Sequence, residues 1–220
     1  MFFPKDIIKA GESPAAPEKI GLSRFIEILA ADSVNLFKLN LLFLVSCIPI
    51  LTIPPAIFAM NCVVRRMILD EPVQCVSNYR IAFQTYWKRS YGAFFLTVFP
   101  LVCSSYGAWF YLSRALDQPL FYLPFAFCST VFLAVLLSST YFYALLAGGQ
   151  SVRESLRPAV FLGLGKPLRA VLAALAVYGS LVACVLAFPL SGAYLLMIGF
   201  SVPCLVGSFF VRVPLKRFYG

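Results

Sequence analysis

Four stretches of this chain carry no charged residue: Leu39–Val64, Ser90–Ser113, Gln118–Val152 and Ala170–Val211. A helix of about 20 apolar residues crosses the hydrocarbon core of a bilayer, with a working range of about 17–25. Four such runs leave a soluble fold too little charge to cover its surface. Composition agrees: 61% of the 220 residues are hydrophobic and 12% are charged, against about 45–50% and 25% in soluble domains. The chain is expected to be an integral membrane protein.

The second and third stretches each fit one span, and the third is long enough to tilt or to project beyond the core. The fourth holds 42 residues, too many for one span. It breaks at Phe188-Pro189-Leu190-Ser191-Gly192, where proline and glycine favour a turn. Helices are expected near Leu168–Leu186 and Ser191–Val211. The first stretch admits one tilted helix or a hairpin turning through Pro49-Ile50-Leu51-Thr52-Ile53-Pro54-Pro55. Pro54 and Pro55 strip two backbone donors, and Pro54 disfavours the α region for Ile53.

Charge arbitrates between the two. With a hairpin, Met1–Lys38, Arg65–Arg89, Arg153–Arg169 and Arg212–Gly220 share one side and hold five, five, four and three Lys or Arg. Arg114 alone lies opposite. With a single crossing the division falls to 12 against 6. Cytoplasmic loops carry the basic excess, so the hairpin is preferred. Its two short helices, roughly Val34–Ile50 and Pro55–Leu69, let Lys38, Arg65 and Arg66 snorkel to the interface.

The fold class is therefore all-α, a polytopic bundle of six transmembrane helices in three hairpins, with short cytoplasmic amphipathic helices. Residues 1–32 form a cytoplasmic segment with an amphipathic helix, 33–212 a single transmembrane domain, and 213–220 a cytoplasmic tail. Both termini are expected in the cytoplasm, with Asp117 and Ser191 on the outer side. No apolar run follows a basic start, so no secretory signal is read at the N-terminus.

Each hairpin follows an amphipathic segment. Apolar residues recur at helical spacing as Leu22, Ile26, Leu29 and Ala30, as Tyr79, Phe83, Tyr86 and Trp87, and as Val152, Leu156, Ala159 and Val160. Arg80, Gln84 and Lys88 fill the opposite face of the second, and Arg153 and Arg157 that of the third. Ser151 and Glu154 have capping-box spacing, and Ser77 is a candidate cap for the second segment. Such helices suit the bilayer surface or a partner's groove. The candidate docking residues are Arg65, Arg66, Tyr79, Phe83, Trp87, Lys88 and Arg89. A threefold repeat is one reading of this pattern; the other is that any loop of a helical bundle can be amphipathic.

Catalytic chemistry has little to work with. There is no histidine, the commonest general base and metal ligand. Six of the seven cysteines lie in apolar stretches and none forms a C-x-x-C pair, so neither a disulfide framework nor a zinc site is expected. Gly163-Leu164-Gly165-Lys166-Pro167 lacks the spacing of a phosphate loop. All nine carboxylates lie outside the expected spans, which disfavours an ion-coupled pump. The intramembrane polar groups are Asn40, Asn61, Ser138, Ser139 and Thr140, read first as helix–helix hydrogen bonding. No enzyme, cofactor, metal or nucleic-acid partner is expected.

One region carries more than composition. Asn40-Leu41-Leu42-Phe43, Ile48-Pro49-Ile50-Leu51-Thr52-Ile53-Pro54-Pro55-Ala56 and Arg65-Arg66-Met67 resemble the signature of the YesL-like family of uncharacterised bacterial membrane proteins. Ala82-Phe83 and Trp87-Lys88-Arg89 are similar to the segment that follows. The resemblance covers Ser33 to about Arg89, with Pro49, Thr52, Pro54 and Pro55 as its turn. Pro54 stands where the family usually has glycine. Members often accompany carbohydrate ABC importers, so the resemblance implies an accessory role around sugar uptake, with ABC transporter subunits or another membrane protein as partners beside the lipid bilayer. The expected function is a non-enzymatic accessory or regulatory component; the alternative is a small-molecule carrier or channel with a polar path through the bundle.

Overall fold

Apolar runs must satisfy their backbone internally, and helices do so within one segment. The computed structural model describes residues 22–69, 71–115, 118–165, 167–186, 192–197 and 199–219. Among them every regular element is a helix. The elements are α1 (Leu22–Ala31), α2 (Ser33–Cys47), α3 (Ile53–Ile68), α4 (Cys75–Thr85), α5 (Trp87–Ala115), α6 (Tyr122–Ala147), α7 (Val152–Gly165), α8 (Pro167–Ala174), α9 (Ser180–Leu186), α10 (Gly192–Met197) and α11 (Ser201–Tyr219). A π turn, Leu175–Gly179, joins α8 to α9, and short 3₁₀ turns precede α3 and α6.

Three helical stretches are long and apolar enough to cross a membrane: Ile50–Ile68, Trp87–Ala115 and Pro119–Ala147. The number rises to five if α1 with α2, bent by 73°, and α7 with α8 each count as one broken span.

The chain does break where its prolines predict. α2 ends at Cys47 and α3 starts at Ile53, with no continuous helix through Pro49–Pro55. Beyond the far end of α3, the Cys75 thiol reaches the Asn35 carbonyl near the start of α2 at 3.5 Å, so α3 returns along α2. One local expectation fails. Ile53 takes φ −57°, ψ −48° despite preceding Pro54. Pro54 and Pro55 occupy the first turn of α3, where backbone donors have no intrahelical acceptor, so proline costs no bond. The glycine usual in the resembling family is not needed there.

α5 and α6 form the longest antiparallel pair. Thr97 Oγ1 and Tyr143 OH are 3.0 Å apart, and the Tyr111 and Phe121 rings lie 6.3 Å apart. Past Phe99 the two helices have mainly each other. Val102, Tyr106 and Trp109 on one, and Leu123, Phe127 and Leu133 on the other, are exposed. A contiguous apolar surface of this kind suits lipid.

Two buried clusters meet at α3. One joins Ile28, Leu36, Leu39 and Phe43 to Ala59, Val63, Met67, Tyr79 and Leu205. The other joins Phe58 to Ala93, Tyr141, Leu145, Leu162 and Ala173. α7 folds back along α6, and a side chain on Gly163 would meet the Ser138 backbone at 3.0 Å. The capping box forms as expected: Ser151 N–H donates to Glu154 Oε2 at 3.0 Å, and Glu154 N–H to Ser151 Oγ at 3.3 Å.

Other expectations shift. The helix read over Ser191–Val211 is two, α10 and α11, broken at Gly199–Phe200, and α11 runs past Val211 to Tyr219. The amphipathic segment around Tyr79 starts at Cys75, so Ser77 lies inside its first turn and caps nothing, and Tyr86 divides α4 from α5 where its ring packs on Phe58 at 4.7 Å. In α1 the inward face is Phe25, Ile28 and Leu29, while Ile26 is exposed. In α7 Val160 is also exposed. Residues 1–21, Asp117 and Ser191 lie outside the described residues.

Candidate functional site: a cavity inside the bundle

The site is built around the break in the last apolar stretch. Asn40 is completely buried on α2. Its Oδ1 accepts from the backbone N–H groups of Phe200 (3.0 Å) and Ser201 (3.3 Å). It caps α11 from another helix, taking two of the donors that any helix start leaves free. Pro203, in the same first turn, has no donor to satisfy. Two donors of this helix start are therefore paired inside the bundle, and a third position has none to pair.

Next to this cap lies a cavity of about 450 Å³, within the usual range of ligand pockets. α2 contributes Phe43, Leu44 and Cys47, and α3 contributes Ile53, Ile57, Met60 and Asn61. Phe94, Thr97, Val98 and Leu101 come from α5, and Thr140 and Tyr143 from α6. Val177 and Tyr178 of the π turn, then Gly199, Phe200, Pro203, Cys204, Gly207 and Ser208, close it. None of these side chains carries a charge at neutral pH.

Its polar groups are largely paired with the protein. Asn61 Nδ2 donates to the Ile57 carbonyl at 2.8 Å, and its Oδ1 accepts weakly from the Cys204 thiol at 3.5 Å. Thr97 Oγ1 lies within hydrogen-bond range of the Ala93 and Phe94 carbonyls and of Tyr143 OH. Thr140 Oγ1 donates to the Leu137 carbonyl at 3.0 Å. Tyr178 OH is 2.7 Å from Ser139 Oγ. Of the five intramembrane polar residues read from the sequence, Asn61 and Thr140 line the cavity. Asn40 sits behind it as a cap, Ser139 holds Tyr178, and Ser138 packs against Gly163 on α7.

The docking candidates divide differently. Tyr79 is buried, and Tyr79, Phe83, Trp87 and Tyr91 form a ladder of rings with centroids 6.1, 5.2 and 5.9 Å apart. Phe83 packs against the first buried cluster. Arg80, Gln84 and Lys88 are exposed, as the periodicity predicts. Arg66 pairs with Glu71 at 3.2 Å. Arg65 and Arg89 converge on the end of α6. The Arg65 guanidinium lies against Gly148, and Arg89 donates to the Gly149 carbonyl at 3.5 Å while covering the Tyr86 ring. Positive charge is favourable at a helix C-terminus. Gly149 there has φ +88°, a conformation that suits glycine.

Sequence reasoning missed Tyr143, Tyr178 and the Gly199–Phe200 break. A signal for the last was present, since Ser201 and Pro203 are residues that open helices. The tyrosines carried none, because their partners lie 46 and 39 residues away.

The sequence profile of a family described as a protein of unknown function, DUF624, matches residues 36–106. That is about a third of the chain, reaching from α2 into α5, and it overlaps most of the stretch resembling YesL-like proteins, which contain this domain. No curated protein and no solved structure matches the chain.

Proposed function

We propose that this chain is a non-enzymatic, multi-pass membrane protein that holds a small, neutral, mostly apolar molecule between its helices and serves as an accessory or regulatory component beside a transporter. The observation that carries this reading is the cavity. It is large enough for a ligand, its described lining is uncharged, and its hydroxyl and amide groups are mostly occupied by the protein. An uncompensated charge is costly there, and a sugar's many hydroxyls would find few free partners. The association with carbohydrate ABC import, implied by the resemblance, therefore rests on a protein partner and not on sugar binding in this cavity. The 17-to-1 division of Lys and Arg supports cytoplasmic termini, with the exposed Arg80 and Lys88 available to the partner.

The test is purification in mild detergent. Native mass spectrometry should find a retained apolar molecule, and affinity capture a transporter subunit. Thr140→Phe, which fills the cavity, should displace the molecule and spare the protein partner. A cavity empty in every preparation, with no partner captured, overturns the proposal.

The carrier reading has one observation in its favour. Discontinuous helices line substrate sites in many transporters, and the Gly199–Phe200 break borders this cavity. Flux of a neutral solute in vesicles containing only this chain would establish that reading instead.

A further inference from the structure

We propose that the Ile48–Pro55 tip of the α2–α3 hairpin is seated among lipid acyl chains on the side of the basic residues, as a re-entrant hairpin and not as a loop on the opposite face. The sidedness rests on the proposed topology; the depth rests on geometry of its own.

The Tyr91 hydroxyl donates to the Leu51 carbonyl. That bond ties the tip to the second turn of α5, three residues beyond the exposed Lys88, or about 5 Å along the helix. From Lys88 to Arg114, α5 runs 26 residues without charge other than Arg89, about 39 Å of helix. Its two charged ends therefore mark the two surfaces of a core about 30 Å thick. A tip held one tyrosine side chain from residue 91 lies near the Lys88 surface. It cannot also reach the far one. The hairpin arms agree, since α2 and α3 have 15 and 16 residues, about 23 Å each.

The tip is also apolar on its outside and leaves few backbone donors for solvent to satisfy. Ile48, Ile50 and Leu51 are 78%, 82% and 69% exposed. Thr52 donates its hydroxyl to the Ser46 carbonyl and its N–H to the Pro49 carbonyl. Ile48 N–H bonds to the Val45 carbonyl and Ile53 N–H to that of Ile50. Pro49, Pro54 and Pro55 have no donor to satisfy. Among the described residues only the Ile50 and Leu51 N–H groups of the tip show no acceptor, fewer than an open loop of this length would leave to water. In hydrocarbon each unpaired group is costly, and non-helical backbone is tolerated there when the protein satisfies it. A re-entrant hairpin returns to the side it left, so the 17-to-1 charge division is unchanged and does not tell the two topologies apart.

The test places Ile50→Cys or Asp117→Cys in a chain whose native cysteines are replaced. An impermeant maleimide applied to intact cells should label position 117 and leave position 50 unlabelled. In phosphatidylethanolamine–phosphatidylglycerol vesicles, a spin label at position 50 should relax with oxygen and resist a nickel chelate. Outside labelling of position 50, or relaxation by nickel, overturns the proposal. Loss of labelling at position 117 instead overturns the sidedness of the proposed topology. A photoreactive benzophenone side chain at position 50 keeps the native cysteines and decides the matter independently. A lipid adduct is expected, and crosslinking to a second copy or another protein overturns it.

Discussion

A buried amide decides where the last helix starts. Asn40 bonds two backbone donors 160 and 161 positions away, and no apolar side chain can replace those acceptors. Asn40→Leu should lower stability by about 2 kcal/mol or more, since two buried donors lose their partner. Thermal unfolding in detergent would show it, and an unchanged midpoint would remove the cap from the account. Ser151 and Glu154 act at the other extreme, on the exposed start of α7. The Ser151 hydroxyl, then its backbone N–H, and last the Arg89 charge hold the Glu154 carboxyl below its ordinary value. A lowered folded pKa stabilises above the unfolded value, near about 4.3, and that stability is lost as pH falls through the lower folded one. Ser151→Ala should lower Tm by roughly 2–4 °C at pH 7, and the gap to the parent should narrow as pH drops below 4.

At the scale of elements, the chain tells inside from outside by periodicity. Along α4 and the first turn of α5, Tyr79 and Phe83 face in and Arg80, Gln84 and Lys88 face out, as their spacing requires. Because Tyr79, Phe83, Trp87 and Tyr91 pack ring against ring, Phe83→Ala with Trp87→Ala should cost roughly 3 kcal/mol or more. Size-exclusion profiles in detergent should then show less folded protein. Full stability together with loss of a captured partner would return these rings to a docking role. On α1 the periodicity is present but admits two neighbouring stripes. α1 presents Phe25, Ile28 and Leu29 to the core, an i, i+3, i+4 set that shares Leu29 with the expected face and leaves Ile26 exposed.

For the whole molecule, sidedness and depth are separate questions. A cysteine at position 5, in a chain without the native ones, should stay unlabelled by an impermeant reagent in intact cells and react once the membrane is opened. Labelling in intact cells would reverse the orientation. The proposed sidedness rests on where Lys and Arg fall, because cytoplasmic loops carry the basic excess. Depth follows from contacts, such as that between Tyr91 and Leu51, which join parts of the chain 40 residues apart.

The sequence alone determined that the chain is helical with stretches long and apolar enough to cross a membrane, that its helix is interrupted around Pro49–Pro55, that α7 starts after Ser151, and that Tyr79 and Phe83 turn away from Arg80 and Lys88. All of these are local: hydropathy, missing donors, capping spacing and 3.6-residue periodicity act within a few turns. Tertiary structure decided that α11 starts at Ser201 under Asn40, that Tyr143 and Tyr178 join Asn61 and Thr140 around one cavity, and how the hairpin tip meets α5. Those features depend on acceptors and neighbours 39 to 161 residues away, and uniformly apolar helices carry little pattern to say which face meets which.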